Sequence, residues 1–285
     1  MRAPEAAFAA AVSSTNPVQN VLVLVINLDR STDRLAAISA SLVAHGLEFE
    51  RVSAIDGSVS ADLLNNFDHT KYWRAHGREV RAAEIGCYYS HLRAMRRFLE
   101  TTYEYALILE DDAVLLNGFN DVVAAATGSE MSSVAAPQQD WDVLKLESRR
   151  RGLAFHLRPL TGRHDLVVNA FRSTGAAAYI VTREAARTYL GCLYSMRQPY
   201  DHAFDRGWWL GLRIRELRPL VVTAVPAVSP FPSTIEVEGC RPRKIKGLAK
   251  LPALAFRTRT EAMRALDAIA TVAVARLRHA FAKQG

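Results

Sequence analysis

Segments with the pattern of buried strands alternate with segments with the pattern of helices along this chain. The first, Val21–Asn27, is an unbroken run of β-branched and leucine residues before its final asparagine, which is typical of a strand buried on both faces. A helix is predicted next, with Ser31 or Thr32 as its N-cap and Gly46 as its left-handed stop. The segment Phe49–Ile55 predicts a second strand, so a β-α-β unit opens the fold.

The same alternation continues along the rest of the chain. Strands are predicted at 105–109, at 141–147, within 173–182 and within 212–224, and helices at 82–102, at 183–195, near 199–209 and from 251 onward. This order predicts an α/β fold with a mainly parallel central sheet, in which ligands bind beyond the carboxyl ends of the strands. The polar segment Ser58–Arg81 is expected to be a loop with short helical turns near that site.

The positive charge of the chain is concentrated in its last part. From Arg241 onward, 11 basic residues stand against 2 acidic ones, a net charge of +9, which leaves −2 for the rest of a chain that carries +7. The body therefore gives no support to nucleic-acid binding. We expect a flexible tail at 1–20, a main domain at 21–240 and a basic amphipathic helical segment at 241–285. This helix either lies on an anionic membrane surface or packs on the domain.

No apolar run is long enough to span a membrane, and the first residues lack the basic and apolar regions of a signal peptide. The cysteines Cys87, Cys192 and Cys240 have neither zinc nor disulfide spacing. A reducing cytoplasm is therefore expected, with Cys87 and Cys192 as small core residues.

Three consecutive carboxylates, Glu110, Asp111 and Asp112, follow the predicted strand 105–109. Such a cluster requires compensation, because like charges repel and an unpaired buried charge is costly. One interpretation is a site for Mg²⁺ or Mn²⁺, since these hard cations prefer oxygen ligands. The other is helix capping or solvated charges beyond the strand.

Arg30 and Arg34 lie where the first strand gives way to a helix, a place suited to binding phosphate. The alternative is surface pairing with Asp29 and Asp33. No G-x-G-x-x-G motif follows this strand and no P-loop motif occurs, so neither a dinucleotide fold nor a P-loop is predicted.

Two further pairs of polar residues are candidates for the site. Ser90 and His91 are neighbours within a predicted helix and face different ways, so they suit hydrogen-bonded support rather than a nucleophilic pair. Asp201 and His202 open a short helix. Asp201 is either its N-cap or a general base that deprotonates a hydroxyl group.

Six segments occur in the order found in glycosyltransferase family 25. They are "VLVINLDRSTDR", "FERVSAIDG", "AEIGCYYSHLRAM", "ALILEDDAVL", "STGAAAYIVTREAA" and "PYDHAF". Over about Val21 to Ile235 the chain resembles this family of bacterial lipopolysaccharide and lipooligosaccharide transferases, which is related to the animal collagen galactosyltransferases. The pair "EIGCYYSH" and "LILEDD" carries most of the resemblance.

The resemblance implies a GT-A-like nucleotide-sugar-binding sandwich. It implies transfer of a sugar, often galactose from UDP-galactose, with inversion, to a hydroxyl of a lipid-linked or other glycan acceptor. Mn²⁺ or Mg²⁺ would be held by Asp112 and Glu110, and His202 is a third predicted ligand. Asp201 would act as base, and Asp111 would contact the ribose or the donor sugar. The residues predicted to bind the nucleotide sugar are Asn27, Leu28, Arg30, Arg34, Lys145, Ser233 and Thr234.

Two other classes fit the same residues. A metal-dependent phosphohydrolase could use the acidic triplet without an acceptor. A non-catalytic membrane-surface module would use the carboxylates only as caps. For the transferase we expect a cytoplasmic location, with peripheral contact at the inner face of the cytoplasmic membrane through the C-terminal helix.

Overall fold

The computed structural model describes residues 20–59, 67–128, 139–149, 152–224 and 246–282. The strands are β1 Val21–Asn27, β2 Glu50–Ser53, β3 Tyr105–Glu110, β4 Val114–Leu115, β5 Val143–Lys145, β6 Ala154–Pro159, β7 Asp165–Asn169, β8 Ala178–Thr182, β9 Ile214–Arg218 and β10 Val222–Thr223. The α-helices are α1 Thr32–Ala44, α2 His69–His76, α3 Ala82–Leu99, α4 Phe119–Thr127, α5 Arg183–Cys192, α6 Tyr200–Ala203, α7 Gly207–Leu210 and α8 Leu251–Ala282.

The core of the fold is an eight-stranded sheet in the order β2-β1-β3-β8-β5-β9-β7-β6. Strands β2, β1 and β3 are parallel to one another, as are β5 and β9. Only β8 and β7 run against the other six strands of this sheet. The predicted α/β fold with a mainly parallel sheet is therefore confirmed.

Helices cover the sheet on both faces. In β1, Leu22, Leu24 and Ile26 pack into the core shared with α3, α5 and α6, while the alternate valines pack toward α1 and α4. Because side chains alternate along a strand, a strand that is buried on both faces needs the unbroken apolar run seen at 21–26. A central sheet with helices on both faces is the layered α/β arrangement that the alternation of strands and helices predicts.

The first β-α-β unit follows the sequence closely. Strand β1 has the predicted bounds, α1 begins after Ser31, and Gly46 adopts the left-handed conformation just beyond the helix end. The side chain of Ser31 makes no capping hydrogen bond. The segment Ser58–Arg81 contains a helix, α2, capped by the side chain of Asp68.

The antiparallel hairpin of β6 and β7 was not predicted. It extends the far edge of the sheet, and its first strand is partly exposed along its length. Cys192 is exposed at the end of α5 and Cys87 is only half-buried, so their prediction as core residues was wrong. Cys240 lies outside the described residues.

The long helix α8 packs against α2, α7 and the β6–β7 hairpin. Its buried side chains are Ala253, Thr260, Arg264 and Ala268. Within the described ranges, no helix combines the length and the apolar character that crossing a membrane requires. The domain boundary at 240–241 stays a prediction, because residues 225–245 lie outside the described residues.

Candidate active site

A cavity of about 570 Å³ opens at the carboxyl ends of β1, β2 and β3, which is the location predicted for a ligand. This volume suits a small organic ligand. Its walls come from several places in the chain: the loops after β1 and β2, Arg78 and the first half of α3, the acidic triplet after β3, Arg149, residues 175–177, and the segment that opens α6. All three carboxylates of the triplet line it.

Asp111 is held by the protein itself. One carboxylate oxygen accepts a hydrogen bond from Asn27 Nδ2 at 2.8 Å, and the other accepts from Arg34 Nη1 at 3.0 Å. Asn27 is fixed in turn by Arg51, whose Nε donates to Asn27 Oδ1 at 3.0 Å. Burial raises the pKa of Asp111 above its ordinary value, although Asn27 and Arg34 oppose that rise.

Glu110 lies on the opposite side of the strand end and faces α3. Its Oε1 is 3.1 Å from His91 Nε2 and 3.9 Å from the Sγ of Cys87. Burial acts to raise the pKa of Glu110, but the hydrogen bond and charge of His91 outweigh it, so this pKa lies below its ordinary value. His91 is fully buried between a hydrogen bond to the Tyr179 hydroxyl and the stacked ring of Tyr200.

Asp112 differs from both neighbours. Its residue is 6% exposed, and its Oδ1 has no hydrogen-bond partner among the described residues. Burial raises the pKa of Asp112 to about 7, and the nearby charges of Glu110 and Asp111 add to this. A buried polar atom without a partner is uncommon in folded proteins and often marks the site of a ligand.

The predicted metal ligands do not converge as a set. Within the described residues, the donor atoms that converge belong to Cys87, His91 and Glu110, all within 4.8 Å of one another. Only Glu110 belongs to the predicted set of Glu110, Asp112 and His202. A thiol and an imidazole suit softer ions than Mg²⁺ or Mn²⁺, so Asp112 and Glu110 remain the better oxygen donors for a hard cation.

Asp201 lies inside α6, which begins after Pro199, so it is not the helix N-cap. It lines the cavity, and its Oδ2 accepts a hydrogen bond from the backbone N–H of Gly175 at 3.3 Å. That contact orients the carboxylate and leaves it partly exposed, at 29% of the side chain. The placement meets the geometric need of a base that must reach a bound hydroxyl group.

His202 also lines the cavity, but its ring contacts cationic and aromatic groups. Arg172 Nη1 donates to His202 Nδ1 at 3.1 Å, and the ring of His76 lies 5.1 Å away. Burial lowers the pKa of His202 to about 4, so the ring is neutral near pH 7. A guanidinium on the ring nitrogen opposes a second cation there, which argues against the predicted metal ligand.

The predicted nucleotide-binding residues divide into two groups. Leu28, Arg30 and Arg34 line the cavity. Arg30 pairs with Asp56, and Arg34 pairs with Asp111 rather than with Asp33. Asp29 pairs with Arg51, so the alternative pairing predicted for this loop does not occur.

Asn27 and Lys145 do not line the cavity. Asn27 is 1% exposed and holds Asp111, so it supports the site from behind. Lys145 is also 1% exposed, and its Nζ donates to the backbone oxygen of Ser173 at 2.7 Å. Its predicted contact with the nucleotide sugar is therefore wrong, because the ammonium is bound inside the fold. Ser233 and Thr234 lie outside the described residues.

Ser90 connects the loop after β2 to α3. Its Oγ accepts from the backbone N–H of Ile55 at 2.8 Å and donates to the oxygen of Gly86 at 2.6 Å. The loop lies so close to α3 that a Cβ on Gly86 would be 2.3 Å from the Ile55 oxygen. A side chain at that position would push the loop out of the cavity wall.

Sequence reasoning missed several residues of the site. Arg78 lines the cavity beside Glu84, to whose Oε1 it donates at 2.9 Å. Glu147 lies behind the wall, where its Oε2 accepts from Ala177 N at 3.2 Å and burial raises its pKa to about 7. The polar character of Ser58–Arg81 signalled Arg78 but not Glu84, which lies beyond this segment. A carboxylate ending the predicted strand 141–147 was the only signal for Glu147.

Comparison with known sequences identifies a family. The family model "Glycosyltransferase family 25 (LPS biosynthesis protein)" matches residues 21–204, which include the acidic triplet and Asp201. The matched region contains strands β1 to β8 and all the residues that line the cavity, from Ile26 to His202.

Individual relatives are more distant. Procollagen galactosyltransferase 1-B of Xenopus laevis is 25% identical over 177 residues, covering 59% of this chain and 28% of that protein. Procollagen galactosyltransferase 2 of Homo sapiens is 24% identical over 174 residues, covering 59% and 27%. The chain thus spans less than a third of the length of these curated relatives.

Among solved structures, a glycosyltransferase involved in glycosylation of the major capsid of PBCV-1 matches with a TM-score of 0.31. It is 13% identical, and the match covers 62% of this chain and 66% of that chain.

Proposed function

Because the chain belongs to glycosyltransferase family 25, we propose that it transfers galactose from UDP-galactose to a hydroxyl group of a glycan acceptor. The acceptor class is lipopolysaccharide, lipooligosaccharide or another glycan, and the transfer inverts the anomeric configuration. The observation that carries the proposal is a cavity with two available carboxylates. Asp112 has an oxygen without a hydrogen-bond partner among the residues that the structure describes, and Asp201 is partly exposed.

The donor would occupy the part of the cavity beside β1 and β2. Arg30 and Arg34 line this part and can donate hydrogen bonds to a diphosphate. Arg34 is already fixed by Asp111, so its guanidinium needs little further ordering when the donor binds. Arg30 is more exposed and can exchange its contact with Asp56 for one with phosphate.

The residues also fit a divalent cation. Asp112 has a buried oxygen with no partner within the described ranges. Glu110 lies beside it on the same rim, and both are oxygen donors of the kind that Mn²⁺ and Mg²⁺ prefer. When bound, such an ion would offset the negative charge of the diphosphate leaving group. Without a cation, the pKa of Asp112 stays raised, because the side chain is buried and shares the rim with two other carboxylates.

Asp201 would accept the proton of the attacking hydroxyl. The N–H of Gly175 holds one of its oxygens, and the neutral ring of His202 lies beside the other, with Nε2 3.9 Å from Oδ1. Arg172 Nη1 lies 3.1 Å from Nδ1 and 3.5 Å from Nε2 of this ring. These contacts orient Asp201 without neutralising it, and alignment of the hydroxyl with the donor lowers the barrier further.

The test is a transfer assay with UDP-galactose, Mn²⁺ and a terminal-sugar glycan acceptor. We expect UDP release that depends on the acceptor, and a β-linked product by NMR because the donor is α-linked. Equal release of UDP without any acceptor would instead indicate a phosphohydrolase. No release with any of a panel of nucleotide sugars and acceptors would indicate a non-catalytic module.

A further inference from the structure

The helix α8 has two unlike faces. Its buried side chains, among them Thr260, Arg264 and Ala268, pack on the domain. On the opposite side, four large apolar side chains are exposed to a degree that is unusual for a surface helix. They are Leu266 at 61%, Ile269 at 59%, Leu277 at 59% and Phe281 at 72%, and we call them the outer row.

The spacing of the outer row places it on one side of the helix. Ile269 follows Leu266 by three residues, and Phe281 follows Leu277 by four. The exposed Ala273 lies midway between Ile269 and Leu277, four residues from each. Residues three and four apart share a helix face, so the row forms a continuous apolar strip.

Basic residues accompany this strip. Arg259 lies seven residues before Leu266, and Arg276 lies seven residues after Ile269, so both exposed arginines are on nearly the same side of the helix as the row. The segment 246–282 contains seven basic and two acidic residues, a net charge of +5. An apolar strip with flanking arginines is the pattern of a helix that lies in the surface of an anionic membrane.

A second copy of the chain is a poorer partner for this strip. Two outer rows placed face to face would bring the Arg259 and Arg276 side chains of both copies together, and like charges at short distance repel. Anionic headgroups would neutralise the same charges, while the acyl chains would contact the apolar side chains of the outer row. Insertion into the membrane surface does not require the helix to span the bilayer, and α8 is not apolar enough to do so.

We propose that the outer row of α8 inserts into the surface of an anionic lipid bilayer, with the helix parallel to the membrane. The inner face of the same helix connects to the cavity wall. Arg264 Nη1 is 2.7 Å from a carboxylate oxygen of Asp205, and Glu261 accepts from the backbone N–H of Arg172, which in turn binds His202. A docked α8 would thus hold the cavity near the membrane, where lipid-linked acceptors are found.

The proposal does not depend on the proposed reaction, and vesicle binding tests it without substrates. The full chain is sedimented with vesicles of phosphatidylglycerol and phosphatidylcholine, and with vesicles of phosphatidylcholine alone. We expect binding to the anionic vesicles that weakens as salt is raised. Leu277→Glu should reduce this binding about tenfold or more, since it places a charge in the apolar strip.

The matched control is Val43→Glu. Val43 is 71% exposed on α1, so this variant adds the same charge at an exposed apolar position away from the outer row. It should bind as the wild type does. Circular dichroism melting of both variants confirms that they are folded, and Leu277→Gln serves as a second variant if Leu277→Glu is not.

Two results would overturn the proposal. One is a vesicle assay that shows no effect of the outer row, either because the wild type, Leu277→Glu and Val43→Glu bind equally or because the wild type does not bind anionic vesicles. The other is a dimer in light scattering that Leu277→Glu dissociates, because a second copy would then be the occupant of the outer row.

Discussion

Asp111 and Asp112 are adjacent in the chain, line the same cavity and are both nearly buried, yet their hydrogen bonding differs. Both oxygens of Asp111 accept hydrogen bonds from side chains, those of Asn27 and Arg34. Asp112 has an oxygen with no partner among the described residues. A carboxylate that is already satisfied stabilises the fold and orients its neighbours, whereas one that is left unsatisfied is available to a ligand.

The difference extends along the cavity. On the β1 side, carboxylates and arginines form pairs before any ligand arrives, as in Arg34–Asp111 and Arg30–Asp56. On the α6 side, Asp201 accepts a hydrogen bond from a backbone N–H and lies beside a neutral histidine. Under the proposed function, the first region would bind the donor, and the second would supply the carboxylate for proton transfer. Four predictions test this contrast.

The largest expected effect is that of Asp112→Asn. If the free oxygen of Asp112 holds a cation at the diphosphate, turnover should fall by about a thousandfold. The melting temperature should stay the same or rise, because the substitution removes a buried carboxylate whose Oδ1 has no hydrogen-bond partner in the described parts of the chain. Transfer kinetics and thermal melting measure the two effects. Full activity of the variant would show that Asp112 has no part in the reaction.

The second prediction concerns Asp201→Asn, which keeps the size of the side chain and removes its basicity. The turnover number should fall by about a hundredfold or more, the range typical of a lost general base. Affinity for UDP, measured by calorimetry, should not change, because the residue lies on the acceptor side. A loss of UDP affinity with turnover intact would place Asp201 on the donor side instead.

The third prediction compares two arginines in denaturant unfolding. Arg34→Met leaves buried Asp111 without its charged partner and should lower the free energy of unfolding by about 2 kcal/mol. Arg30→Met removes a pair whose arginine side chain is 59% exposed, and should cost less than about 1 kcal/mol. Equal losses in the two variants would remove the distinction between a structural and a surface pair.

The smallest expected effect is on pH dependence. The pKa of Asp112 in the folded protein, about 7, lies above its unfolded value near 3.8. The folded state therefore binds more protons between these values, and this residue's contribution to stability is lost as pH rises toward 7. The stability difference between Asp112→Asn and the wild type, without metal, should grow in favour of the variant from about pH 5 to pH 8.

His76 and His202 act in the opposite direction in the same experiment. Burial lowers the pKa of His76 to about 2 and that of His202 to about 4, so stability is lost as pH falls below the unfolded value of 6.5. Both histidines are present in the variant and in the wild type. Comparing the two proteins cancels that contribution and isolates Asp112. A difference that does not change with pH would contradict the raised pKa.

The local order of apolar residues and glycines was sufficient to predict the strands and helices that lead to the site. An unbroken apolar run defines β1, and a glycine with positive φ marks the end of α1. The β6–β7 hairpin escaped prediction because its first strand is half-exposed, ends at Pro159 and carries His156 and Arg158 between its apolar residues. Its place at the edge of the sheet, paired through β7 to β9, is a tertiary property.

The rim of the site was predicted, but the partners of its residues were not. The sequence places Arg34 near phosphate and Asp111 near a sugar, and 77 residues separate the two that form a salt bridge. Lys145 ends a strand like the other candidates, yet its side chain points to Ser173. Such choices depend on which helix packs over each strand end, and that information is not local.

The availability of Asp112 for a cation is the central claim, and a thermal-shift titration tests it most directly. Wild-type protein and Asp112→Asn are melted with UDP, with Mn²⁺ and with both. We expect UDP and Mn²⁺ together to raise the melting temperature of the wild type well beyond the sum of their separate effects, and no such gain in Asp112→Asn. The same gain in both proteins, or stabilisation of the wild type by UDP regardless of Mn²⁺, would contradict the account.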